Sequence, residues 1–200
     1  MAYSDSTFAK LKSLYGILQD YQNLGLAEVA AVQPSSRLVE DITDGQHIPV
    51  ISEKAKSEFL IAPIVREIQR NNKNITFFSG VSFNIEGEKL LNGTPDFMIS
   101  AKARRADVES PIFCMVEAKN GIIEEGYAQC AAEMYAAKLF NEQTNEPIEI
   151  IYGVVTNAFE WVFLKLENNS IFIDTERYYL NNLAQILGIF QWIINQNKTN

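Results

Sequence analysis

The stretch Pro111-Ile112-Phe113-Cys114-Met115-Val116-Glu117-Ala118-Lys119-Asn120-Gly121 decides how the chain is read. It is a short, nearly continuous apolar run, the pattern of a strand buried on both faces. Two charges stand near its end. Side chains alternate across a strand, so Glu117 and Lys119 share one face and Ala118 takes the other. Charges at the end of a core strand cost desolvation unless they pair or hold something. Asn120-Gly121 then supplies a turn.

Upstream, Leu90-Leu91-Asn92-Gly93-Thr94-Pro95-Asp96-Phe97-Met98-Ile99-Ser100 repeats the situation. A Gly/Pro turn delivers Asp96 onto the first residue of another apolar strand, where Pro95 has no ladder bond to donate. If the two strands pair antiparallel, Asp96 and Glu117 converge on one edge of the sheet. Two carboxylates and the Lys119 amine then stand at one point.

Pro95-Asp96 followed by Glu117-Ala118-Lys119 resembles the signature of the PD-(D/E)XK, or restriction-endonuclease-like, nuclease superfamily. The order helix, strand, Pro-Asp strand, Glu-x-Lys strand, Gln-bearing helix, strand extends the likeness. It covers about Ser52 to Asp174 and looks like a small bacterial branch of that superfamily. Glu53, in the helix before, and Gln129, in the helix after, stand where many members carry further site residues. The resemblance implies an α/β fold, with a three-layer core and a mixed central β-sheet flanked by helices. It also implies hydrolysis of phosphodiester bonds in nucleic acid, DNA rather than RNA.

Asp96 and Glu117 offer hard oxygen ligands suited to Mg²⁺ or Mn²⁺, which take few protein carboxylates and keep several waters. The resemblance adds the Ala118 backbone carbonyl as a ligand, with Glu53 as the accessory acid. Lys119 would orient the attacking water, and Gln129 would place that water or Lys119. The alternative is a catalytically silent module of the same fold that binds nucleic acid or a protein. A third reading, a structural ion network, explains the residues poorly, because apolar packing replaces such networks at little loss.

Two hundred residues fit one domain: an N-terminal helix and connecting segment over 1–50, a nuclease-like core over 51–176 and an apolar C-terminal helix over 177–200. No apolar run is long enough to span a bilayer, and the N-terminus lacks a basic region followed by a hydrophobic block. The expectation is a cytoplasmic protein that does not enter membranes. With two cysteines and one histidine, no Cys/His zinc cluster can form within one chain. His47, close to a proline, reads as a loop residue. The net charge of -8 opposes phosphate binding. A metal would offset the site carboxylates, and a partner or a narrow basic patch would offset the rest.

Along the chain, Phe8, Leu11, Leu14, Leu18 and Tyr21 follow capping residues at helical spacing. Residues 23–49 read as a connection with one short strand around Arg37-Leu38-Val39-Glu40. Ser52 caps a helix to about Asn71, kinked at Pro63, with Leu60, Ile61, Ile64, Val65 and Ile68 as its apolar stripe. Glu53 lies near that stripe, and Glu58 and Glu67 are its substitutes. A plainer role for Glu53 is to complement the positive helix start. Residues 75–83 read as a strand with a bulge or a close approach at Gly80. Lys102, Arg104 and Arg105 form the densest basic cluster, either touching phosphates or forming a solvated hairpin tip. In the helix from Glu124 to Phe140, Gln129 and Glu133 share a face. Residues 148–156 read as a buried strand and 161–173 as a hairpin. The helix from Leu180 to Ile194 is apolar on most sides, which fits burial or a homodimer interface.

Overall fold

The computed structural model describes residues 2–197. In chain order the elements are α1 (Phe8–Tyr15), β1 (Leu18–Gln22), α2 (Ser36–Gln46), α3 (Glu53–Lys56) and α4 (Ala62–Asn71). Strands β2 (Thr76–Ser79), β3 (Phe83–Asn84), β4 (Asn92–Gly93), β5 (Phe97–Ser100) and β6 (Ile112–Ala118) follow. The remainder is α5 (Tyr127–Gln143), β7 (Ile150–Thr156), β8 (Glu160–Glu167), β9 (Ser170–Asp174), β10 (Tyr178–Tyr179) and α6 (Leu183–Gln196). The central sheet runs β1-β9-β8-β7-β6-β5-β2, with β10 paired to β8, while β3 and β4 form a separate small hairpin. The β6–β7 and β1–β9 pairs are parallel and the others antiparallel, so the sheet is mixed.

Strand alternation sorts the core into two layers. One face of the sheet buries Phe97, Ile99, Cys114, Val116, Ala118 and Val154 against apolar residues of α2, α4 and α6. The other buries Met98, Met115, Val155, Val162 and Leu164 against α1 and α5. This is the three-layer α/β arrangement expected. Gly153 sets how closely α5 approaches: a Cβ there would stand 2.4 Å from Met134 Sδ and 2.8 Å from Cys130 Sγ.

Several local expectations are corrected. Helix α1 stops at Tyr15 because Gly16 turns left-handed (φ 69°) and donates its N–H back to Lys12 and Leu11. Leu18 and Tyr21 therefore lie on β1, an exposed edge strand, and their helical spacing is coincidental. The expected strand around Arg37–Glu40 is part of α2. Ser35 caps that helix by accepting the Leu38 N–H at 3.2 Å, and Leu38 and Ile42, four apart, enter the core. Gly80 (φ 61°) ends β2 rather than bulging it, and Phe83 joins the small hairpin.

Ser52 does cap the next helix, accepting the Ala55 N–H at 3.1 Å. The irregularity expected at Pro63 takes the form of a π turn over Ser57–Ile61 just before it. Helix α6 is apolar because its residues Ile186, Leu187, Ile189, Phe190, Ile193 and Ile194 are buried within this chain. No described helix is long and apolar enough to cross a membrane.

Candidate active site

The register of the β5–β6 pair builds the site. Phe97 lies opposite Val116, so the preceding Asp96 comes opposite Glu117. Val116 and Ala118 face the α4 and α6 side, which turns Glu117 and Lys119 toward α5. Asp96 Oδ2 accepts the Ala118 N–H at 2.7 Å. Lys119 Nζ donates to Glu117 Oε1 at 2.6 Å and to Gln129 Oε1 at 2.9 Å. The lysine does not point into solvent; its side chain is 18% exposed. Its own N–H donates to Thr156 O of β7 at 2.8 Å, which pins the end of β6. Asp96, Glu117, Lys119 and Gln129 are thus brought together.

Helix α5 contributes a residue whose role the sequence reading missed. Gln129 Nε2 donates to Glu133 Oε1 at 3.2 Å, and Glu133 is fully buried. Burial, and then the Glu117 charge, raise the Glu133 pKa well above the usual value. Glu117 Oε2 and Glu133 Oε2 are both buried with no hydrogen-bond partner. The signal available in the sequence was the four-residue spacing from Gln129 in a helix of small residues.

Desolvation also raises Glu117, with Asp96 adding to it and Lys119 opposing, to about 7. Asp96 is raised by burial, against the Ala118 hydrogen bond, which lowers it. Burial works against the Lys119 ammonium, but the adjoining Glu117 carboxylate outweighs it, and the lysine pKa lies above its ordinary value. Gly126 makes room for this lysine. A Cβ at that position would stand 3.1 Å from both Lys119 Cγ and Cε and 2.5 Å from Val155 Cγ1.

Other expected residues are placed differently. Glu53 is exposed at the start of α3, near enough for its charge to act on Asp96 and Lys119. Asp96, Glu117 and Glu53 do not form a ready ligand set, since no group of three or more such side chains suited to a metal exists among the described residues. Glu58 pairs with Lys54 on the surface at 3.8 Å. Glu67 is a buried structural acid, bound by Arg70 at 2.5 Å and by the Ser35 N–H at 3.0 Å. Neither substitutes for Glu53.

The basic cluster matches the second of its two readings, a solvated loop. Lys102, Arg104 and Arg105 follow the far end of β5, about 13 Å along the strand from Asp96 at some 3.3 Å per residue. There Lys102 pairs with Glu146 at 2.9 Å and Arg105 with Glu109 at 3.1 Å. Arg104 lines a separate pocket with Arg66, Arg70 and Lys73. These three residues lie away from the carboxylate–lysine cluster.

The fold and the site together define a three-layer α/β protein with a carboxylate–lysine cluster at one end of its mixed sheet. No protein-family model matches the chain, and no curated protein matches it.

Proposed function

We propose that the protein is a metal-dependent nuclease that hydrolyses phosphodiester bonds, with DNA as its expected substrate. The observation that carries this reading is the meeting of Asp96, Glu117 and Lys119 at the end of two paired strands, with Gln129 holding the lysine. A purely structural ion pair gives no reason to bury a second carboxyl, Glu133, behind the first.

Asp96 and Glu117 are the carboxylates that a divalent cation would use, without a third preformed acid ligand beside them among the described residues. Glu117 Oε2 is buried and lacks a donor, and Asp96 commits Oδ2 to the Ala118 N–H. Two carboxylates completed by water suit Mg²⁺ or Mn²⁺, and the Ala118 carbonyl and Glu53 are the candidates to extend the set. Such an ion would supply a water of lowered pKa and neutralise charge on the phosphate. The chain's own groups do the rest. Lys119 carries a positive charge into a low-dielectric site, where it can orient a water and stabilise developing negative charge. Gln129 accepts from that ammonium and keeps it aimed, while Glu133 anchors Gln129 from behind.

The test compares wild type with Lys119→Ala on single- and double-stranded DNA and RNA, with Mg²⁺, Mn²⁺ or EDTA. Cleavage should require the ion and fall by about a hundredfold or more in the variant. Equal cleavage by both proteins, or none on any substrate by wild type, would remove the proposal.

A further inference from the structure

The rim of the candidate site carries large apolar side chains facing water. Ile51 is 83% exposed, Ile122 61% and Phe159 41%. They come from three separate segments that are tied together at one place. Asn120 Nδ2 donates to Ile51 O at 3.3 Å, and Asn157 Nδ2 donates to Gly121 O at 3.3 Å. Lys56 Nζ donates to Asn120 O and stands 5.9 Å from the centre of the Phe159 ring. Ile122 lies three positions after Lys119, Phe159 three after Thr156, which holds the Lys119 N–H, and Ile51 close to Asn120, the residue after Lys119.

We infer that this rim is a platform for unpaired nucleobases, so that the substrate is single-stranded at the point of attack. The inference rests on the nuclease reading of the site. A duplex offers mainly phosphates to a protein surface and is gripped by Lys and Arg. This rim offers little free positive charge for such a grip, because Arg177 is taken up by Glu124 and Glu160. Unpaired bases instead offer flat apolar faces that stack on aromatic side chains. Phe159 supplies such a ring, Ile51 and Ile122 add exposed apolar surface, and Lys56 Nζ, lying over one side of the ring, can meet the charge of a backbone phosphate.

The experiment measures binding by fluorescence anisotropy in EDTA, and cleavage in Mg²⁺, for three probes: a single-stranded oligonucleotide, the same strand made abasic, and its duplex. Wild type should prefer the base-bearing single strand by about tenfold or more over both others. Phe159→Ala should erase that preference, and Phe159→Trp should restore it. Ile122→Ala, tested in parallel, should weaken it without depending on the aromatic position. Equal affinity for the abasic strand, or a preference unchanged in both alanine variants, overturns the inference while leaving any observed cleavage intact; the apolar rim would then belong to a protein partner. Absence of binding and cleavage with all three probes overturns the nuclease reading and this inference with it.

Discussion

Raising the pH should destabilise the metal-free protein, because the site buries carboxyl groups that ionise more readily once unfolded. Glu117 is the group for which a magnitude follows. Its pKa is about 7 in the folded chain against an ordinary 4.5, chiefly through burial. The folded state therefore holds a proton that the unfolded state gives up, and stability falls as pH rises through this window. The difference amounts to about 3 kcal/mol at roughly 1.4 kcal/mol per pH unit. It is absent below about pH 4.5 and fully developed somewhat above about pH 7. Glu133 and Asp96, also raised, act in the same direction.

For a chain of this length, about 3 kcal/mol corresponds to a fall in Tm of about 6–12 °C. The assay is thermal unfolding in EDTA between about pH 5 and about pH 8, comparing wild type with Glu117→Gln. The variant should show a clearly shallower slope, and Mg²⁺ added at the alkaline end should recover stability in wild type alone. A wild-type Tm that is flat or rising across the window, or an identical slope in Glu117→Gln, would refute the reasoning.

Two further outcomes test parts of the structure. Gly126→Ala drives a methyl group against Val155 and the Lys119 stem, so cleavage should fall by about a hundredfold and stability by about 1–3 kcal/mol; wild-type turnover in a destabilised variant would show that this contact does not place the lysine. Asn141 is fully buried on α5 and holds both the N–H and the C=O of Ile112 at 2.8 Å, ahead of the point where β6 begins to pair with β7. Asn141→Ala should therefore cost about 2–5 kcal/mol in chemical denaturation, and a loss well under that range would mean that water replaces the amide.

Much of the site is legible in the sequence itself. The period of two in a strand puts Glu117 and Lys119 on one face whatever surrounds them, and the turn at Pro95 places Asp96 at the head of its strand. The apolar run of β6 announces burial on both faces, and thus a sheet covered on both sides. Ser52 and the residues around Pro63 likewise declare a helix start and an irregular helix. These are local facts, governed by backbone geometry within a few residues. Where local signals competed, the reading failed. Leu18 and Tyr21 continue the helical spacing of α1, yet Gly16 ends the helix and the chain adds to β9, a partner about 150 residues away.

Other outcomes depended on tertiary neighbours. Glu133 becomes a buried carboxyl beside the site only because α5 packs against β6; α5 shows little contrast between its faces, so hydrophobicity does not mark its inward side. Lys102 and Arg105 spend their charges on Glu146 and Glu109, and Glu67 on Arg70, pairings that depend on where loops and helices come to rest. By itself the sequence determined which side chains could share a face and where strands and helices could start. Only the tertiary structure decided which charges meet, because electrostatic and packing energies depend on distances between segments far apart in the chain.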